Sequence, residues 1–298
     1  MASHGSASTI LGAPLPDGVS ERFLEAGGIR FRYLQGGATS GLPVVFLHGW
    51  PTWAEVWLPV AQVIGARHPW IAVDLPCQGK SSLLPRGERS LPSYRRALSA
   101  FLDALAVPRV ALVGNSMGGS LAIMLGLDRP SQVAQVAVLD AAGLNAKFPG
   151  RTVRMYAPFL LPCFLRAPGP RSVRKLLTKA VFHDPRLADD GWIDAVVAAW
   201  KPSDRRRALM DSGFALRRKE ASVYTDLPQL AMPTLVLSGR EDVQFPWPTA
   251  ETASRRIPKA RFAAIDAAGH FPMVEKPQET ARLLSAFLDG DDPAGTSS

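Results

Sequence analysis

Residues Val113-Gly114-Asn115-Ser116-Met117-Gly118-Gly119 read VGNSMGG. An apolar run, RVALV, leads into them, and a second, SLAIML, follows at once. The first run is short, apolar throughout and closed by glycine, which predicts a buried strand; the second predicts a helix. The chain thus leaves a strand, turns sharply on glycines around one serine and starts a helix. Gly114 and Gly118 leave room for the close approach of strand and helix. Ser116 is then held with its hydroxyl above the sheet, and the N–H of Met117 points to where an oxyanion would form. A G-x-S-x-G in this strand–turn–helix setting is a nucleophile elbow, and the helix N-terminus supplies N–H donors for a developing negative charge.

The same rhythm runs outward in both directions. Apolar runs bounded by turn residues recur at 29–34, 43–49, 70–76, 110–116, 134–143, 233–239 and 260–270. Most of the later ones lack polar alternation, as strands buried on both faces do. Helix-length segments lie between them at Trp53–Ala66, Ser90–Leu105, Ser120–Leu127, Thr249–Arg256 and Pro277–Leu288. The alternation predicts an α/β protein with a doubly wound, mostly parallel sheet. FLEAGGIRFRYL predicts an opening hairpin that turns on Gly27-Gly28. The rhythm breaks from Leu144 to Leu227, a stretch of Pro-punctuated apolar pieces and basic helix-like pieces. This organisation reads as a flexible tail over 1–20, a core over 21–143 and 228–290, a helical cap over 144–227 and a second tail over 291–298.

The 298 residues, 47% hydrophobic and 20% charged, suffice for a large core. No apolar run reaches the roughly 18 residues of a membrane span. The N-terminus has no basic start followed by an apolar stretch, so no secretion signal is read there and a cytoplasmic protein is expected. Two cysteines, Cys77 and Cys163, make no disulfide framework, and no Cys/His spacing suggests a metal site. The net charge of +8 is localised: residues 144–227 hold 16 Lys+Arg against 8 Asp+Glu, and the remainder holds 18 of each. Arg205-Arg206-Arg207 and Arg217-Arg218-Lys219 are the densest clusters, read as a solvated helix face. No nucleic-acid motif accompanies the charge, so no nucleic-acid partner is expected. Peripheral contact of the basic cap with an anionic membrane surface is the other use such charge has. The oligomeric state is not readable.

A serine at its ordinary pKa needs a base. Of His4, His48, His68, His183 and His270, only His270 follows a late strand, in AIDAAGHFPMVEKP, where sites form in such sheets. His4 lies in the tail, and His68 and His183 read as surface residues. His48 reads as a brace for its loop. The base needs a carboxylate to fix its tautomer. Asp242, in LSGREDVQFP, follows a strand and precedes His270; Asp140, in VLDAAG, also ends a strand and is its rival. Glu241 is one register off, and Asp266 lies within the last strand. In HGWP (48–51), the Trp50 N–H is the candidate second oxyanion donor beside the Met117 N–H. Met155, Tyr156, Phe159, Leu160, Leu161, Phe164, Leu165 and Phe271 are candidate walls for a lipophilic substrate.

HGWP (48–51), DLPCQGKS (74–81), GNSMGG (114–119), GREDVQFP (239–246) and GHFPMVEKP (269–277) resemble, in order and spacing, the motifs of the α/β-hydrolase superfamily over nearly the whole chain. The resemblance implies a Ser116–His270–Asp242 triad, a cap after the sixth strand, a loop shaped by Asp74 and Gly79, and no cofactor. Family members usually carry a glycine near Cys77. HGWP also resembles epoxide hydrolases and haloalkane dehalogenases, but those have an aspartate where this chain has Ser116. GNSMGG is common in carbon–carbon bond hydrolases, which usually have Trp where this chain has Phe271. The expected activity is a serine hydrolase of a small, lipophilic carboxylic ester. Carbon–carbon hydrolysis, cofactor-free perhydrolysis, acyl transfer or cyclisation, and non-catalytic ligand binding stay open as alternatives.

Overall fold

Gly27 and Gly28 both adopt positive φ and turn β1 (Ser20–Ala26) back onto β2 (Ile29–Gly37), pairing Ala26 with Ile29 across a two-residue loop. The computed structural model describes residues 10–145, 169–216 and 218–291. After the hairpin come β3 (Val44–Leu47), α1 (Leu58–Ile64), β4 (Pro69–Val73), α2 (Leu91–Ala104), β5 (Val110–Asn115), α3 (Met117–Asp128) and β6 (Val133–Leu139). The second half holds α4 (Pro170–Leu176), α5 (Asp190–Trp200), α6 (Ser203–Ala215), β7 (Thr234–Gly239), α7 (Trp247–Ser254), β8 (Ala260–Ile265), α8 (Pro272–Glu275) and α9 (Pro277–Leu288).

The eight strands form one sheet in the order β1-β2-β4-β3-β5-β6-β7-β8. β2 pairs antiparallel with β1 and β4, and every later pairing is parallel. Every residue of β3, β5 and β7 is buried, as runs without polar alternation predict. α2 is amphipathic, burying Leu91, Tyr94, Leu98, Phe101 and Leu102 on one stripe. α3 is buried from Met117 to Gly126, because it lies between the sheet and neighbouring helices. The strand order reverses between β3 and β5. Loops leaving these two neighbours diverge at their carboxyl ends and open the crevice where doubly wound sheets bind ligands.

Between β6 and β7 the described residues carry helices and no strand. This helical segment lies over the carboxyl ends of the strands. Trp192 of α5 stacks on Trp53 with ring centres 5.5 Å apart, and the Trp50 indole N–H donates to Leu209 O of α6 at 3.1 Å. No helix among the described residues is long and apolar enough to cross a membrane.

Four expectations need correction. The tail expected over 1–20 is packed from residue 10 onward: Ile10, Leu11, Leu15 and Val19 lie against the core, because their apolar side chains cover its edge. His68 is buried, with Nδ1 near Leu42 O (3.0 Å) and Nε2 near Asp289 (3.3 Å). A local polar sequence carried no sign of those distant partners. Asp266 lies one residue past β8, exposed and paired with Arg240. The basic cluster at 205–207 is only partly solvated, since Arg205 donates to Ser81 O (3.2 Å) and Arg206 to Lys201 O (2.8 Å).

Candidate active site

β5 runs into α3 through Ser116, which sits at φ 52°, ψ −116° and is 4% exposed. This backbone conformation costs a non-glycine residue about 1–3 kcal/mol, so the surroundings must hold it. They do so by close approach. A Cβ on Gly114 would lie 2.3 Å from Gly118 O, and one on Gly118 would lie 2.2 Å from Leu47 O. Both glycines are therefore required for β3, β5 and α3 to meet. The Ser116 carbonyl accepts from Gly119, Ser120 and Ala142 N–H groups, which pins the turn. The Ser116 side chain projects from the elbow, and the leading N–H groups of α3, Met117 first, have no intrahelical acceptor.

The loop after β3 lies against the elbow: a Cβ on Gly49 would be 3.0 Å from Ser116 Cβ. His48 fixes this loop. Its Nε2 accepts from Leu75 N–H at 2.9 Å, so its Nδ1 carries the proton and donates to Gly49 O at 2.8 Å. Complete burial pushes the His48 pKa down to about 4, and the ring is neutral and structural.

His270 follows β8 and is held from three sides. Its N–H donates to Val181 O (2.8 Å), and its carbonyl accepts from Asn115 Nδ2 (3.0 Å), one residue before the elbow serine. Its Nδ1 lies 2.8 Å from Asp242 Oδ2 in the loop after β7. A carboxylate only accepts, so Nδ1 carries the proton and the Nε2 lone pair is left for a proton from elsewhere. Asp242 Oδ1 accepts from Gln244 N–H at 2.6 Å, which orients the carboxylate. Glu241, the register neighbour, turns away and accepts from Ala268 N–H at 3.0 Å.

Asp140, the rival acid, stands at the end of β6 and accepts from Gly239 N–H at 3.0 Å. Burial, and then the nearby Asp242 charge, push its pKa well above the ordinary carboxylate value. Asp140, Asp242 and His270 form a cluster with the spacing of a cation site. Its carboxylates, however, face N–H donors and each other, so the donor set suits a shared proton better than a cation.

The crevice above His270 is aromatic and aliphatic. Trp50 and Phe271 form its floor, and Leu177, Trp192, Val196 and Trp200 come from the helical segment. Phe271 lies under His270, with ring centres 5.6 Å apart. The other expected wall residues, Met155, Tyr156, Phe159, Leu160, Leu161, Phe164 and Leu165, fall outside the described residues, as does Cys163. Cys77, in the loop where family members usually carry a nearby glycine, adopts φ 69°, a glycine-like backbone, with its thiol buried.

Over residues 44–283 the sequence matches the model of the alpha/beta hydrolase family. The chain belongs to this family. A 2-hydroxy-6-oxo-6-(2'-aminophenyl)hexa-2,4-dienoic acid hydrolase of Metapseudomonas resinovorans is 27% identical over 274 residues, covering 90% of each chain. The pimeloyl-[acyl-carrier protein] methyl ester esterase of Aeromonas hydrophila is 26% identical over 256 residues, covering 83% of this chain and 96% of the esterase. Among solved structures, a bacterial membrane phospholipase A superposes with a TM-score of 0.78 at 27% identity, covering 94% of this chain and 88% of that one. The relatives of this alpha/beta hydrolase thus include esterases and ring-cleavage-product hydrolases.

One member of the site carried no role in its sequence motif. Glu275, in GHFPMVEKP, accepts from Gly269 N–H (2.8 Å) and His183 N–H (2.7 Å), and more weakly from Phe271 and Asp184 N–H groups (3.4 Å each). It clasps the His270 loop to the helical segment. Burial outweighs these donors and pushes its pKa up to about 7. A carboxyl that binds its proton more tightly when folded adds stability below its unfolded pKa, and loses it as pH rises through the folded one. His48 acts oppositely: its neutral form adds stability above the unfolded histidine pKa, lost as pH falls toward 4. The two windows overlap, and each contribution is on the order of 3 kcal/mol. Glu275→Gln is therefore expected to unmask a steeper gain in melting temperature between pH 4.5 and 7 than the parent shows. Parallel pH–melting curves for the two proteins would refute this.

Proposed function

We propose that this alpha/beta hydrolase is a serine esterase working through Ser116, His270 and Asp242. The observation that carries the reading is a serine in a strained turn, placed one residue from an asparagine that bonds the carbonyl of an Asp-bound histidine. His270 Nε2 takes the Ser116 proton as the Oγ attacks the ester carbonyl. Trp50 and Met117 N–H groups receive the oxyanion. His270 then gives its proton to the leaving alcohol, and the acyl group stays on Ser116. A water loses its proton to His270, attacks the acyl carbon and releases the acid, and Ser116 regains its proton. Asp242 holds the tautomer and stabilises the imidazolium.

The apolar crevice, lined by Phe271, Trp192, Val196 and Trp200, favours a substrate with a lipophilic acyl or alcohol group. The basic middle segment favours an anionic substrate or an anionic interface, and the similarity to a phospholipase A is in keeping with both. The 27% identical dienoic acid hydrolase supports a second reading, hydrolysis of a carbon–carbon bond in a ring-cleavage product. A chain-length series of p-nitrophenyl esters decides between them. Serine-dependent turnover with an optimum beyond acetate is the expected result. Turnover of a 2-hydroxy-6-oxo-dienoate with none of the esters would transfer the assignment to the second reading.

A further inference from the structure

The triad reading leaves a second buried carboxyl group unused. Asp140 is 1% exposed and stands at the end of β6, at φ 45°, a backbone conformation rarely adopted by a residue with a side chain. One oxygen each of Asp140 and Asp242 and a ring nitrogen of His270 all lie within 4.8 Å of one another. The titratable groups facing Asp140 are thus Asp242, from the loop after β7, and His270, from the loop after β8. Two buried carboxyl groups this close do not both ionise, so one keeps its proton and donates it to the other. Asp242 accepts from the histidine Nδ1–H and from Gln244 N–H. Asp140 accepts from Gly239 N–H and has the Ser238 hydroxyl beside it, but burial and the Asp242 charge outweigh these donors and raise its pKa well above the ordinary carboxylate value, so it is the member assigned the shared proton.

We propose that Asp140 is a positioning residue of the triad: its carboxyl group donates a hydrogen bond to Asp242 and becomes the histidine's carboxylate partner when Asp242 is lost. The inference rests on the Ser116–His270–Asp242 reading above. Removing Asp242 removes the like charge that, after burial, opposes ionisation of Asp140. Asp140 then ionises within a few ångströms of the imidazole, where a small side-chain shift or one bridging water joins them.

A purely structural role is the competing account, in which Asp140 only ties Gly239 N–H of β7 to the end of β6. Asparagine separates the two. Asp140→Asn keeps an acceptor for Gly239 N–H and a donor toward Asp242, but it cannot ionise. With a p-nitrophenyl ester, Asp140→Asn is expected to lower kcat less than about tenfold. Asp242→Ala is expected to lower it about 10²-fold, and the double variant about 10⁴-fold, the loss expected of a triad with no acid. The rising limb of the pH–kcat profile of Asp242→Ala should follow Asp140 and vanish in the double variant, with KM little changed. A double variant no slower than Asp242→Ala overturns the proposal. If Asp242→Ala does not fold, by circular dichroism and melting, Asp242→Asn with and without Asp140→Asn gives the same comparison. Ser116→Ala and His270→Ala guard the underlying reading. Should they keep full activity, the triad itself falls; should they be inactive while the double equals the single, only the role of Asp140 falls.

Discussion

Ser116→Ala is expected to lower kcat for a p-nitrophenyl ester by about 10⁵–10⁶-fold, leaving only the modest acceleration that binding and an oxyanion site provide. KM should move little, because the hydroxyl is needed for the chemical step and not for holding the apolar group. The fold should survive, since alanine fits the buried position and bears the same backbone penalty as serine. Ser116→Gly gives the complementary result. It should be equally inactive yet more stable, because glycine relieves the φ 52° conformation, worth about 1–3 kcal/mol. Labelling by a fluorophosphonate should be lost in both variants and kept in Asp140→Asn. Labelling that persists in Ser116→Ala would place the nucleophile elsewhere and end the esterase reading.

The elbow was readable because its signals are local. Gly114 is required by its contact with Gly118, four residues on, and the strand-then-helix pattern around them marks Gly118 as well, although its own close contact is with the distant Leu47. The same holds for the β1–β2 hairpin, whose Gly27-Gly28 pair matches the two-residue turn. The start of α3, expected at Ser120, comes three residues earlier for a related reason. α3 begins at Met117, inside a glycine-rich stretch with poor helix propensity, because β5 and β6 pack it from the outset.

What stayed hidden is long-range and polar. A one-dimensional reading ranked Asp242 against Asp140 as rivals, whereas folding brings both to one histidine. Glu275 stood in the motif without a role, since its partners at His183 and Asp184 lie about 90 residues away. His68 read as a surface residue because its covering acid, Asp289, comes 221 residues later. Arg32 is the strongest case. It shares the alternation of IRFRYL with Arg30, which is exposed, but Arg32 is 1% exposed.

Arg32→Met is expected to destabilise the protein by about 3–5 kcal/mol, because it strands buried carboxylates without their cation. The guanidinium of Arg32 grips Glu55 through two bonds, Nη2 to Oε1 at 2.8 Å and Nη1 to Oε2 at 2.9 Å. It reaches Asp74 at 3.3 Å and the partly exposed Glu21 at 2.8 Å. Asp74 in turn accepts from Ala54 N–H (2.8 Å) and Lys80 N–H (2.7 Å), and Gly79 is required beside it, since a Cβ there would lie 2.1 Å from the carboxylate. At roughly 2–4 °C per kcal/mol for a chain of this size, the melting temperature should fall by about 6–20 °C. Burial already lifts the Asp74 pKa above its ordinary value against the pull of Arg32, and losing that pull lifts it further. An acid with a raised folded pKa adds stability that is lost as pH rises, so the deficit of the variant should be larger at pH 8 than at pH 5. Adding Glu55→Leu should recover part of the loss, since one buried charge then disappears. A melting temperature for Arg32→Met within about 1 °C of the parent would show that the network is solvated and contributes little. The network also bears on the site. Glu55 anchors the turn after Trp53, which stacks on Trp192, a wall of the crevice. Asp74 fixes the loop whose next N–H, on Leu75, holds His48 and through it Gly49 against Ser116. An arginine on β2, a strand paired on both sides, is thereby connected through Asp74 and His48 to the loop that carries the proposed oxyanion donor.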